Sequence, residues 1–407
     1  MSPPDPSHRP NPNNNGRAQR SICMLLHGGF PMEVRVAAEV RAAVAAGFDV
    51  DVLALRRPGE PAYEEAEGAR VFRLPVSHEH GSGVFQVVRE YLGFTFLAGL
   101  KTLQLTLRRR YGIVQVHNPP DFLLAAAIVP RLLGSRVILD VHDLATDMFE
   151  MRFEGRRGVG LGDRILRTLE RYAVRNVDAV LTVHEPYRQE LIVRGARPED
   201  VTVVLNTLDD RVLPPLDGVE ETEEFRVVYH GTVTPHYGVG LLVGAAAHVV
   251  GSIPNLRLEI YGEGDALDGV LERARELGIA DRLTSQRILP QREVLRSIRG
   301  AAAGVVPNLP TRLNRFALST KLFEYVALGI PVVCADLPTI RSYFSSDEVL
   351  YFRAGDSTAL ARALRIVAED PAAAAARADA ARARYAEYTW AKNERRYVDL
   401  VERLVAG

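Results

Sequence analysis

From residue 21 onward the chain repeats one rhythm: a short run of apolar, often β-branched residues, then an amphipathic stretch long enough for a helix. That alternation leaves little choice of fold, because strands buried on both faces and joined by helices form a parallel sheet covered on its two sides. ICMLL, VDVLAL, IVQVH, VILDVH, AVLTV and VTVVL read as six strands of a first sheet, and EVRVAAEVRAAVAA, closed by Gly47 as a C-cap, typifies the helices between them. The rhythm breaks at NTLDDRVLPPLDGVEETEE, with its paired prolines and acidic run. It resumes with FRVVYH, LRLEIY, the weak LTSQ, AGVVP, PVVCAD and VLYF. The expected fold is α/β, with two Rossmann-like parallel-sheet domains facing an interdomain cleft. The expected boundaries are a disordered leader over 1–20, a first domain over 21–208, a linker over 209–224, a second domain over 225–386 and a final helix within 387–407.

Composition excludes several function classes. Fifty basic and fifty-one acidic side chains leave a formal charge of −1, so no global field draws the chain to nucleic acid, and any anion-binding surface must be local. The leader MSPPDPSHRPNPNNNGRAQR lacks the apolar core of a signal peptide. GVFQVVREYLGFTFLAGLKTLQLTLRRR is interrupted by Arg89, Glu90 and Lys101, which leaves no spanning run of ~18 apolar residues. Cys23 and Cys334 sit inside apolar runs of different halves, as buried thiols do, and point to a reducing cytoplasm. The location expected is cytoplasmic, at most peripheral to the inner face of a membrane. Ten His residues show no HxxxH spacing and no Cys/His cluster, so no metal and no cofactor is expected.

Ligands of open parallel sheets bind beyond the carboxyl ends of the strands. The residues standing there are His27-Gly28-Gly29, His117-Asn118, His142-Asp143, His230-Gly231-Thr232, Gly262-Glu263-Gly264, Pro307-Asn308 and the start of LSTKLFEYVALGIPVV. The basic residues are almost all Arg, with Lys only at Lys101, Lys321 and Lys392, so Lys321 at a helix start stands out. Thr320 as N-cap places Lys321, Leu322 and Phe323 in the first turn, and Gly329 with Pro331 ends the helix. A cation at the positive end of a helix is unfavourable unless an anion joins it, and the turn's N–H groups with the ammonium make a phosphate cradle. Glu324, one turn on, is placed to accept from a ribose diol, although the spacing alone favours a surface pair with Lys321 worth ~0.3 kcal/mol. Asp49-Val50-Asp51 lies at the start of a strand, the wrong end for a metal-diphosphate site. Gly262-Glu263-Gly264 continues to Leu267 where a dinucleotide fingerprint needs Gly or Ala, which disfavours NAD.

LSTKLFEYVALGIPVV, VHNPPDFLLAAAIVPRLLGSRVILDVHDL, VHEPYRQELIVRGARPEDVTVVLN, YHGTVTPHYGVGLL and YTWAKNERRYVDLVERL together resemble the retaining nucleotide-sugar glycosyltransferases of family 4, with the GT-B fold, in collinear order from about residue 21 to 405. The resemblance implies an acceptor-binding first domain, a nucleotide-sugar-binding second domain, and a last helix that crosses back to the first. It implies that Lys321 and Glu324 face the donor's diphosphate and ribose, with Leu322, Gly231, Thr232 and Gly262 beside them, and that His142 lies near the transferred sugar. Gly28, Gly29, Asn118 and Asp121 fall on the acceptor side. A His at a strand end also serves structural roles.

Three positions depart from the family pattern. Phe316 stands where many members carry the first of two Glu residues, and Thr232 and Tyr237 stand where many carry an Arg and a Lys that clamp the diphosphate. His236, Arg312 and Arg315 are the nearby replacements in sequence. The expected reaction is transfer of a sugar from a UDP- or GDP-linked donor to a glycan, lipid-linked or small-molecule acceptor with retention of configuration. The alternative from another class is a non-catalytic nucleotide- or sugar-binding partner of another transferase.

Overall fold

The computed structural model describes residues 20–76, 84–144, 146–147, 159–215, 218, 222–287 and 290–406. The expected leader before Arg20 and parts of the expected linker lie outside the described residues. The chain divides into two compact units, Met1–Leu205 with Asn393–Gly407, and Asn206–Lys392.

The first unit is built on an eight-stranded sheet. Its strands are β1 (Ser21–Leu26), β2 (Asp49–Leu55), β3 (Tyr63–Ala66), β4 (Ala69–Leu74), β5 (Ile113–Asn118), β6 (Arg136–Val141), β7 (Ala179–Thr182) and β8 (Val201–Val203). They lie in the order β3-β4-β2-β1-β5-β6-β7-β8. All neighbours are parallel except the β3/β4 pair. Every residue of β1 is buried, which is why it reads as a continuous apolar run. Helices α1 (Val34–Ala45), α2 (Val84–Arg108), α3 (Ile128–Leu132), α4 (Val159–Arg175) and α5 (Glu185–Val193) connect the strands. A 3-10 turn over Asp121–Ala127 precedes α3.

Two strands are additions to the six expected. β3 and β4 form a hairpin at the sheet edge, turned by Glu67 and Gly68 at φ 54° and 77°. Positive φ at both central residues is the tight-hairpin geometry. β3 is only half buried and reads YEEA, so its pattern carries no apolar run to find. Charged residues suit an edge, where unpaired backbone invites another chain. From Asn393 onward the C-terminal helix Trp390–Ala406 packs in this unit. Tyr397 is fully buried and its hydroxyl donates to Gln115 of β5 at 2.8 Å, while Asn393 Oδ1 accepts from Leu205 N at 2.9 Å.

The second unit has a six-stranded, all-parallel sheet: β9 (Phe225–His230), β10 (Leu256–Tyr261), β11 (Leu283–Gln286), β12 (Ala303–Val306), β13 (Val332–Ala335) and β14 (Leu350–Phe352). The order is β11-β10-β9-β12-β13-β14, with the strands where the sequence places them. Helices α6 (Val239–Val249), α7 (Leu267–Glu276), α8 (Gln291–Ile298) and α9 (Thr320–Ala327) follow in turn. α9 is the element that positions the site. Leu322, Phe323, Tyr325 and Val326 are fully buried, each worth roughly 1.5–3 kcal/mol. Phe323 packs in a cluster with Tyr343, Phe344, Tyr385 and Tyr388. Tyr325 lies so close over Gly304 that a Cβ there would meet its ring at 2.4 Å. Cys23 and Cys334 are both buried free thiols.

Candidate functional site

In the first unit the polar residues gather past the ends of β5 and β6. Side chains alternate along a strand, so Asp140 and His142 emerge on one face, and the register sets His117 beside Asp140. Asp140 Oδ2 lies 2.8 Å from His142 Nε2 and 3.1 Å from His117 Nδ1. Arg35, from the first turn of α1, donates through Nε and Nη2 to the two oxygens of Asp140 at 3.1 and 2.8 Å. The same guanidinium contacts Glu39 at 3.2 Å, and Gln115 Nε2 donates to Glu39 at 2.7 Å. A buried chain of polar contacts thus runs from His142 through Asp140, Arg35, Glu39 and Gln115 to Tyr397.

The charges in that chain are set by burial and neighbours. Burial opposes ionisation of Asp140, yet Arg35, His142 and hydrogen bonds from both imidazoles hold its carboxyl well below the usual range. Burial, and then the Asp140 charge, pushes Glu39 well up. Burial lowers His117 to about 4, so it is neutral at pH 7. The contacts assign Nε2–H of His142 to Asp140 and leave its Nδ1 lone pair for a ligand. His117, Asp140 and His142 converge as three potential metal ligands. Arg35 already occupies both oxygens of Asp140, so the cluster fits a hydrogen-bond hub better than a cation site.

Asn118 joins two of these strand ends. Its Oδ1 accepts from His142 N at 2.8 Å, and its Nδ2 donates to Asp121 at 2.9 Å and to the Asp143 carbonyl at 2.9 Å. Asn118, Asp121 and His142 are therefore one assembly. Burial raises the Asp121 carboxyl, and burial also brings Glu170 up to about 7 against the opposing charge of Arg194, which donates to both its oxygens at 2.8 Å. Gly28 and Gly29 come just after β1, the neighbour of β5, and no bond joins them to Asn118 or His142 among the described residues. The Gly28 carbonyl accepts from Leu55 N at 2.9 Å.

The second unit presents a separate group at the ends of β9 and β10 and the start of α9. The helix N-cap is Ser319, one residue before the expected Thr320. The Ser319 hydroxyl does not cap; it accepts from Lys321 Nζ at 2.8 Å. Lys321 is buried, and its ammonium lies 5.1 Å from the ring centres of both Tyr229 and Tyr237. Burial lowers it to about 8, with the Glu324 charge opposing. Among the described residues Lys321 makes no ion pair within 4 Å. Gly231 sits directly beside it at φ 104°, where a Cβ would come within 3.4 Å of Lys321 Cε. Gly262 brings its backbone so near that a Cβ would strike the Gly231 carbonyl at 2.0 Å, so the Gly262-Glu263-Gly264 turn is a backbone-to-backbone contact.

Glu324 does not face an open space as the i, i+3 picture supposes. Its Oε2 lies 2.9 Å from His230 Nε2, and its Oε1 accepts from Gln291 at 2.7 Å. Burial opposes its charge, but His230 leads the contacts that bring its carboxyl below the ordinary value. The Leu322 amide, expected in the anion cradle, donates to the Ser319 carbonyl at 3.1 Å. The earlier amides of the turn, Thr320 and Lys321, are those a ligand can take. Thr232 offers its carbonyl to the Tyr229 hydroxyl at 2.6 Å. His236 lies 3.2 Å from the Thr234 hydroxyl with its ring 4.4 Å from that of Tyr237, and burial lowers its pKa. A recess of about 290 Å³ lined by Glu263, Gly264, Leu267, Asp268 and Arg287 opens beside the group. Arg315, one of the nearby replacement cations in sequence, is exposed and lies over the Phe316 ring at 4.3 Å.

Sequence reasoning missed Asp140, Arg35 and Gln291, and marked His230 as a strand-end residue without its pairing to Glu324. Period-two alternation in VILDVH carried the signal for Asp140; Arg35 and Gln291 are brought in by helices, for which a linear reading has no marker.

Residues 32–207 match the Glycosyl transferase 4-like domain family, and residues 242–399 match the Glycosyl transferase-like family. The chain is 26% identical over 368 residues to a glycogen synthase of Mycobacterium tuberculosis, which covers 86% of this chain and 85% of that one. A D-inositol 3-phosphate glycosyltransferase of Segniliparus rotundus is 28% identical over 153 residues, 35% of this chain and 33% of its own. Among solved structures, a sucrose-phosphate synthase from Thermosynechococcus elongatus superposes with a TM-score of 0.73 at 19% identity, over 95% of this chain and 99% of that one. Anabaena HepE in complex with UDP and glucose gives 0.67 at 14% identity, over 94% and 100%. Tandem parallel-sheet units, both family matches and these likenesses converge: the chain belongs to the family-4-type, nucleotide-sugar glycosyltransferases of the GT-B fold.

Proposed function

We propose that the chain transfers a sugar from a UDP- or GDP-linked donor to an acceptor held by the first unit, with retention of anomeric configuration. The observation that carries the donor half is Lys321, a buried ammonium at a helix start with a hydroxyl and two aromatic rings around it and, among the described residues, no carboxylate in contact. Burial of a cation in such a place is unfavourable until an anion arrives. A donor diphosphate supplies that anion, with the Thr320 and Lys321 amides, Gly231, Thr232 and His236 around it and Gly262 letting the backbone approach. Glu324, fixed by His230 and Gln291, is oriented toward one role, acceptance from the ribose diol. UDP bound to HepE supports a uridine donor, while ADP bound to starch synthase IV of Arabidopsis thaliana shows that neighbours of this fold differ in nucleotide.

The chemistry is a same-face substitution. The bond from the anomeric carbon to the phosphate oxygen breaks, the acceptor oxygen bonds to that carbon on the same face, and its proton passes to the departing phosphate. The protein's part is positioning and charge stabilisation. His142, locked by Asp140, offers its Nδ1 lone pair to a hydroxyl of the transferred sugar, and Asn118 and Asp121 line the acceptor side with Gly28 and Gly29. Two buried free thiols suit a reaction carried out in the cytoplasm, where nucleotide sugars are the substrates at hand.

The deciding experiment incubates purified protein with a panel of UDP-, GDP- and ADP-sugars. Slow release of one nucleoside diphosphate, and an unchanged anomeric configuration by NMR once an acceptor is found, bear the proposal out. Tight nucleotide binding with no turnover on any donor would make the chain a binding partner instead.

A further inference from the structure

Helix α2 is inside out. Its buried face carries Glu90, Thr102 and Thr106 beside Phe94, Ala98 and Leu105, while Val88, Leu92, Phe96 and Leu100, four residues apart, point to solvent with Leu107 beyond them. Phe96 is 66% exposed. A surface helix ordinarily does the reverse. The stripe does not stand alone. α2 packs on the Asp121–Ala127 turn and on α3, and α4 packs on the same turn; Arg131 of α3 is bonded to the Asn176 carbonyl just past α4. α3 and its end add exposed Ile128, Leu132 and Leu133, and α4 adds exposed Ile165 and Tyr172, with Leu132 80% exposed.

We propose that this face docks the protein, in the plane, on an anionic membrane surface. The cations decide the occupant. Arg89, Arg108, Arg131, Arg164, Arg167, Arg171 and Arg175 are all exposed among the apolar residues of these three helices. Among the described residues of these elements, Asp163 is the single acidic side chain that is not buried. Apolar groups edged by basic ones match the acyl boundary and anionic headgroups of a bilayer. A second copy fits worse, since a two-fold contact would set Arg against Arg. No helix of the described residues is long and apolar enough to cross a membrane, so the contact lies along the surface. The inner sides of the same elements carry Glu90, 3.0 Å from His27, and Asp121, bonded to Asn118. A docked bilayer would therefore lie about one helix diameter, ~10 Å, from the acceptor-side residues.

The test is sedimentation of the full chain with vesicles of phosphatidylcholine alone and of phosphatidylcholine with phosphatidylglycerol, beside analytical ultracentrifugation without lipid. Binding to the anionic vesicles at least about tenfold above the neutral ones, weakened by salt, is expected. Leu92→Glu with Phe96→Glu should lower it at least about tenfold with the melting temperature unchanged, and Arg164→Glu with Arg171→Glu should lower it as well. Equal or negligible binding to both vesicles overturns the proposal. So does a lipid-free dimer that Phe96→Glu dissociates, which would make the face an interface between copies.

Discussion

Lys321 should be held at a cost to the fold, and Lys321→Met should expose that cost. Burial lowers its proton affinity from the ordinary 10.5 to about 8. At ~1.4 kcal/mol for each tenfold change in proton affinity, the charged form is disfavoured by on the order of 3 kcal/mol. Met keeps the length of the side chain without the charge, and Glu324 stays paired to His230 and Gln291. Loss of the contacts to Tyr229 and Tyr237 takes back part of the gain. The ligand-free variant should therefore melt on the order of 5 °C higher at pH 7 in its second unit. The pH dependence fixes the cause. Below about 8 Lys321 carries its proton folded or unfolded, and the penalty is complete. Between about 8 and 10.5 the unfolded chain binds the proton and the folded one does not, so wild-type stability rises with pH relative to the variant until the gap closes. UDP affinity should fall by roughly 10- to 150-fold, the worth of a charge-assisted contact, while uridine affinity hardly moves. Differential scanning calorimetry from pH 7 to above 10 and titration calorimetry with UDP and uridine read both effects. A variant less stable at pH 7, or equal losses for UDP and uridine, would refute the reasoning.

His142→Ala should cut kcat while donor KM stays within a few-fold, and Asp140→Asn should do the same while also destabilising the first unit by roughly 3–5 kcal/mol, since Arg35 would lose its buried counter-charge; full activity in either variant removes the proposed role. Tyr397→Phe should cost about 1–3 kcal/mol by orphaning Gln115, and deleting 388–407 should raise hydrogen exchange in the first unit; a response confined to the second unit would contradict the packing seen for the last helix. His236 is neutral-leaning without ligand, and contact with a diphosphate favours its protonated form, so donor affinity should decline as pH climbs from about 6 to 8.5 and His236→Gln should lose the lower part of that slope. An unchanged slope in the variant would leave the charge to Lys321 and the helix amides.

Much of the architecture was legible because buried parallel strands must be apolar throughout and must be succeeded by helices long enough to return. ICMLL and PVVCAD could be little else. β3 was illegible for the same reason: an edge strand needs no apolar run, and YEEA has none. Within the sites, residues that end a strand or open a helix could be read directly, as with Asn118, His142 and Lys321. The company they keep could not. Arg35 reaches Asp140 across 105 residues of sequence, and Gln291 reaches Glu324 across 33. The cap lies at Ser319 and not Thr320: the Ser319 backbone is extended (φ −69°, ψ 131°) just before the helix, while its hydroxyl accepts from Lys321 instead of capping.

Tyr237, where the family resemblance leads one to expect a Lys, bears on how, in the proposed reaction, a single buried cation serves a donor of about two charges. A second ammonium here would stand beside Lys321 in a low-dielectric pocket, and like charges at such range lower each other's proton affinity. Tyr237 instead completes, with Tyr229, a pair of rings whose faces stabilise the one ammonium present, at 5.1 Å each. The polar end of the arrangement is Ser319, whose hydroxyl can release Nζ to a phosphate oxygen without leaving a carboxylate unpaired. Replacement of Ser319 by Asp would set an ion pair where an anion is meant to arrive, and the donor would then compete with the protein's own charge. On the proposed reading, economy of charge around Lys321 is what lets it stay protonated near neutral pH and yet remain uncommitted until the diphosphate binds.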